Sequence, residues 1–115
     1  MVKIYGIPNC DTVKKTLDFF KAKKIAVQFH NYKTEGISDK KLKEWFGSVG
    51  INKVVNKVSS TYKKLSEEQK IVLDNPETAI LLLQEFPSII KRPIVEHKEQ
   101  TLVGFKKDEY EAVFQ

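Results

Sequence analysis

The hydrophobic period of this chain changes twice within its first thirty residues, and those changes restrict the fold more than any other feature. Val2-Lys3-Ile4-Tyr5 alternates and predicts a strand. Val13, Leu17 and Phe20 then recur at i, i+4 and i+7, which predicts a helix over about 11–24. Ile25, Val27 and Phe29 alternate with Ala26, Gln28 and His30, a second strand. A strand, helix, strand unit of this length makes a right-handed parallel crossover, and ligands of open α/β sheets bind at the carboxyl ends of such strands.

The middle of the chain reads as helical and amphipathic. Ser38 is a good N-cap, with Ile37 before it and Leu42 at the fourth helical position as a hydrophobic staple. Leu42, Trp45, Phe46 and Val49 continue one apolar face, with Trp45 simplest as core, and Gly50 ends the helix. Ser66 with Gln69 resembles a capping box for a short helix near 67–73. Asn75-Pro76 restarts the helix, Ala79, Leu82, Leu83 and Phe86 line one side, and Pro87 stops it. Ile94-Val95-Glu96-His97 and Thr101-Leu102-Val103-Gly104 then flank Lys98-Glu99-Gln100, predicting a hairpin with a three-residue loop. Tyr110, Val113 and Phe114 mark a closing helix. The expected class is α/β: the βαβ … ββα order of a thioredoxin-like fold with a mixed four-stranded sheet. Residues 1–115 form one domain, carrying a helical insertion over about 37–88.

Cys10 is the only cysteine, and it lies in Gly6-Ile7-Pro8-Asn9-Cys10-Asp11-Thr12, between the first strand and the helix start. Two readings stand. Most free cysteines are small buried hydrophobes. The turn residues Gly6, Pro8 and Asn9 point instead to a surface loop, where a thiolate at a helix N-terminus lies in the field of unpaired backbone N–H groups. One cysteine forms no internal disulfide, and a reduced thiol suits the cytoplasm. No run of about 18 apolar residues or signal-peptide pattern occurs, so a soluble, unexported protein with no membrane partner is expected.

The formal charge is +5 and the pI about 9.2, which raises the question of nucleic acid. The lysines are scattered through every segment and are not interleaved with aromatic residues as a stacking platform requires, so no direct nucleic-acid binding is expected. Of 20 basic residues a single one, Arg92, is arginine, and a planar bidentate fork is the property lysine does not replace. Lys14 and Lys15 read first as solvated charges, His30 as a packed or surface residue, and His97 receives no role. No residues show metal-ligand spacing, and no metal is expected.

Three stretches carry a family resemblance: Tyr5-Gly6-Ile7-Pro8-Asn9-Cys10-Asp11-Thr12-Val13-Lys14-Lys15, Phe29-His30-Asn31-Tyr32, and Ile89-Ile90-Lys91-Arg92-Pro93-Ile94-Val95. They resemble the arsenate reductase (ArsC) and Spx family, and the Asn-Cys-Asp-Thr-Val-Lys-Lys run is most similar to its YffB-type branch. The resemblance implies a thioredoxin-like fold with a helical subdomain. It matches Cys10 to the family's nucleophile, which in arsenate reductases attacks the oxyanion and is resolved by glutathione and glutaredoxin. It matches Arg92 to the arginine beside the active site and Pro93 to a proline preceded by a cis bond. Asn9, Asp11, Thr12, Lys14 and Pro93 then fall to substrate or thiol binding, with Cys10 and Arg92 catalytic.

The chain also departs from the family pattern. Arsenate reductases carry two further arginines, in the segments aligned with Val55-Asn56-Lys57-Val58 and Gly104-Phe105-Lys106, and neither is arginine here. Lys57 or Lys106 supplies charge without the bidentate fork. Spx regulators carry a Cys-x-x-Cys pair, whose second position is Val13 here. With one thiol, the expected chemistry is monothiol exchange through a mixed disulfide. The expectation is a thiol reductase that binds no cofactor, uses glutathione or another small thiol as co-substrate, possesses glutaredoxin as a candidate partner, and is monomeric. Arsenate reduction coupled to glutaredoxin, and Spx-like protein binding without a redox switch, are the rival readings.

Overall fold

Alternation in the opening residues becomes β1 (Val2–Gly6) in the computed structural model, which describes residues 1–115. The chain divides into two compact units, Met1–His30 with Arg92–Gln115, and Asn31–Lys91. In the first unit, β1 leads to α1 (Asp11–Ala22) and β2 (Val27–Asn31), of which only the last residue counts with the second unit. After Arg92 come β3 (Ile94–His97), β4 (Gln100–Val103) and the closing helix, which is the last of eight and is therefore α8 (Lys107–Val113). The sheet runs in the order β2-β1-β3-β4, with β3 antiparallel to both β1 and β4. This is the thioredoxin-like α/β arrangement expected from the element order.

Register explains the core of this unit. Ile4 pairs with Val95 and Val95 with Leu102, so these three and Val2 share one face. They pack with Phe20 of α1, Tyr110 of α8 and Phe114 just after that helix in one buried cluster. Phe19 meets the rings of Phe20, Phe105, Tyr110 and Phe114 edge to face. The Tyr110 hydroxyl donates to the Gly104 carbonyl at 2.6 Å. Burial, and secondarily the Glu109 carboxylate, push the Tyr110 phenol well above its ordinary range.

Two boundaries differ from the sequence expectation. α1 ends at Ala22, because Lys24 adopts a positive φ of 58° and Ile25 N–H returns to the Phe20 carbonyl. The hairpin loop has two residues, since His97 pairs with Gln100, and Lys98 supplies the positive φ at 55°. Gln100 therefore belongs to β4 and not to the turn.

The second unit is mainly helical: α2 (Tyr32–Glu35), α3 (Asp39–Val49), α4 (Ile51–Val54), α5 (Ser60–Lys63), α6 (Glu67–Val72) and α7 (Pro76–Glu85), followed by a 3-10 turn at Pro87–Ile89. The helix starts read from sequence are built as expected. Ser38 accepts from Lys41 N–H, Ser66 and Gln69 form a reciprocal capping box, and Asn75 caps the helix that begins with Pro76. Gly50, at φ 88°, ends α3. Trp45, Tyr32, Leu42, Leu73 and Leu83 are fully buried, and the Tyr32 ring meets Trp45 at 6.3 Å. The helical segment expected over 37–88 falls within Asn31–Lys91. Within that unit an antiparallel bridge joins Val55 to Ile90, with Asn56 N–H donating to the Ile89 carbonyl and Lys91 N–H to the Val54 carbonyl, at 2.6 and 2.7 Å.

Candidate functional site

Cys10 is the N-cap residue of α1. Its backbone is extended, at φ −132° and ψ 123°, and its carbonyl accepts the first helical hydrogen bond from Lys14 N–H at 2.9 Å. A serine or aspartate at this position turns its side chain onto the helix; Cys10 makes no such side-chain cap bond. The thiol is free and the residue half-buried. Its geometry therefore follows the loop reading and not the buried-hydrophobe reading.

The first turn behind it is tightly held. Val13 is fully buried, and so is Thr16, whose hydroxyl donates to the Thr12 carbonyl at 2.8 Å. Asn9, Asp11 and Lys14 are exposed, while Thr12 is half-buried. The lysine and aspartate of this turn thus present opposite charges to solvent beside Cys10, and neither is drawn into the core.

Arg92 reaches the same end of the sheet through strand pairing. Tyr5 pairs with Ile94, so the residues before β3 lie level with those just after Tyr5. Gly6 marks the meeting point. A β-carbon on Gly6 would stand 2.9 Å from Val13 Cγ2, 3.6 Å from Arg92 Cβ and 3.9 Å from Phe29 Cε1. Glycine lets α1 and the Arg92 segment both close onto the end of β1. The Arg92–Pro93 bond is cis, as the resemblance implied, and the buried Pro93 offers its carbonyl to Gly104 N–H at 2.8 Å. Arg92 is half-buried and engaged with its surroundings, with its Nε atom inside the protein.

All seven residues singled out from sequence, Cys10, Arg92, Asn9, Asp11, Thr12, Lys14 and Pro93, lie in the first unit. The two lysines that stand in the arsenate-reductase arginine segments are placed differently. Lys106 is the N-cap of α8 and exposed. Lys57 belongs to the helical unit, with its Nζ 3.5 Å from the Asp74 carboxylate. No group of three or more His, Cys, Asp or Glu is arranged to hold a metal, and no helix is long and apolar enough to cross a membrane.

The sequence profile of the ArsC family matches residues 5–113, a span that includes the cysteine loop, the Arg92-Pro93 turn and α8. The chain belongs to the ArsC family. This ArsC-family chain is 41% identical to a solved structure named YFFB protein, at a TM-score of 0.94 with all of both chains covered. It is 40% identical over 114 residues to an uncharacterized protein of Haemophilus influenzae, covering 99% of each. It is 27% identical over 116 residues to the global transcriptional regulator Spx of Streptococcus agalactiae, covering 97% of this chain and 82% of that one.

Sequence reasoning missed the part played by Gly6 and the neighbours of Tyr5. Its hydroxyl donates to Glu96 at 3.0 Å, and its ring lies 4.9 Å from that of His30. A glycine closing a strand was the available signal for close backbone approach. The Tyr5, Glu96 and His30 cluster required strand order and register, which periodicity does not supply.

Proposed function

We infer that this ArsC-family chain is a thiol reductase that works through Cys10 alone, with glutathione or another small thiol as reductant. The observation that carries this reading is a half-buried, free thiol at the N-cap of α1, with no side-chain cap bond and no second cysteine in the chain. Such a thiol exchanges with an external disulfide and requires an external thiol for release.

The Cys10 thiolate attacks the glutathione sulfur of a mixed disulfide, forming a Cys10–glutathione disulfide and expelling the other thiolate, which takes up a proton. A second glutathione thiolate then attacks the glutathione sulfur of that intermediate, yielding oxidised glutathione and returning the Cys10 thiolate. In this reading Arg92, with its fixed fork, and Lys14 attract the carboxylates of glutathione. The amide and hydroxyl of Thr12, the Asn9 side chain and the Arg92 backbone next to Pro93 supply polar contacts, while Asp11 repels a second negative charge. A cytoplasmic, reducing setting suits such chemistry.

Two observations weigh against the rival readings. Oxyanion reduction in the manner of arsenate reductases relies on further arginines, whereas Lys57 sits against Asp74 in the helical unit. A Cys-x-x-Cys switch lacks its second thiol, because Val13 occupies that position and is fully buried.

Intact-mass measurement after incubation with oxidised glutathione tests the reading. A single glutathionyl adduct, absent in Cys10→Ser and removed by reduced glutathione, is the expected result. Turnover of a glutathione mixed disulfide is lost in the same variant. A Cys10 that forms no adduct, or a Cys10→Ser protein that still turns the substrate over, overturns it.

A further inference from the structure

We propose that the groove between α1 and the start of α8 is a binding site for a small organic anion with an aryl or alkyl body. The groove is an open, shallow cleft of about 510 Å³, room for a small molecule lying along it. Its apolar surface comes from Phe19 and Ala22 on α1 and Phe105 just before α8. The Phe19 and Phe105 rings meet edge to face at 5.7 Å, and both residues are half-buried, so ring surface remains for a ligand.

Charge around the groove selects the sign of the ligand. Lys23 and Glu111 close one end, joined at 3.0 Å from one helix to the other, and Lys23 Nζ also lies 5.3 Å over the Phe19 ring. That pair cancels itself. Lys15 and Lys107 remain on the rim as exposed cations, against the single carboxylate of Asp18. An apolar body on the rings with a carboxylate or sulfonate turned toward Lys15 and Lys107 satisfies both features, and an ammonium head group does not.

The site is separate from the thiol chemistry. Lys15, Asp18, Phe19, Ala22 and Lys23 form one stripe of α1 at helical spacing, beginning more than a turn beyond Cys10. Ligand binding here therefore survives or fails independently of the reductase reading.

Amide NMR titration of the reduced 115-residue chain with phenylbutyrate, and in parallel with phenylbutylamine, tests the proposal. The carboxylate is expected to shift resonances within 18–23 and 105–111, to bind about tenfold more tightly than the amine, and to weaken as salt is raised. Lys15→Glu combined with Lys107→Glu is expected to abolish that preference. Equal binding of the two probes, shifts centred elsewhere, or a salt-independent carboxylate affinity overturns the proposal without recourse to a variant.

Discussion

Val13 Cγ2 stands 2.9 Å from the point where a β-carbon on Gly6 would be, closer than real β-carbons approach a neighbour. The valine is fully buried and stiff at χ1, so it has no room to swing aside. The end of β1 and the first turn of α1 are fitted to each other at this contact, three residues from Cys10. Gly6→Ala is expected to lower stability by about 1–3 kcal/mol through overpacking. Denaturant midpoints check this: Gly6→Ala with Val13→Ala should cost clearly less than the sum of the two single changes. Additive costs would show that the contact is not the source of the strain.

Replacing Val13 by cysteine places a thiol one helical turn from Cys10. The variant is expected to form an internal disulfide on oxidation, seen as the loss of a hydrogen pair in the intact mass. Addition of oxidised glutathione should then leave much less adduct than in the parent chain, since the nearby thiol displaces glutathione from Cys10. Persistence of the full adduct in Val13→Cys would show that the buried first turn keeps position 13 away from Cys10.

Much of this architecture was legible because local signals agreed with the final packing. Ser38, Ser66 and Asn75 each cap the helix start predicted for them, and the βαβ opening rests on two clear changes of period. The hairpin turn was misread because Lys98 and Glu99 carry none of the glycine or asparagine signals of a two-residue loop, although Lys98 adopts positive φ. The short helices at Tyr32–Glu35, Ile51–Val54 and Ser60–Lys63 span four residues each, too few for a period to show. At the site, Cys10 was visible as a lone thiol before a helix. The approach of Arg92 to Gly6 depends on the β1–β3 register, a long-range pairing that sequence spacing does not contain.

Arg92→Lys separates charge from geometry. In the proposed reductase the lysine retains a positive charge but loses the planar fork, so turnover of a glutathione mixed disulfide should fall about tenfold, equivalent to ~1.4 kcal/mol of transition-state stabilisation. Steady-state kinetics with a glutathione mixed disulfide and with one lacking the carboxylates distinguish the cause. A loss confined to the glutathione substrate supports carboxylate recognition by Arg92, and an equal loss on both removes that role.

Tyr110 gives the fold an alkaline limit of calculable sign. Its phenol is raised by burial and by Glu109, from an ordinary value of 10.0 in the unfolded chain. Below that value both states keep the proton and the stabilising contribution is fully present. As pH rises past it, the unfolded chain releases the proton while the folded chain retains it, so stability falls until the folded-state value is passed. Tyr110→Phe removes this titration together with the hydrogen bond to the Gly104 carbonyl. At neutral pH the variant should be less stable by about 1–2 kcal/mol, since the carbonyl loses a buried donor. Between neutral pH and the alkaline range its denaturation midpoint should decline less steeply than that of the parent chain. Parallel curves for the two proteins would show that other groups, and not the Tyr110 phenol, set the alkaline limit.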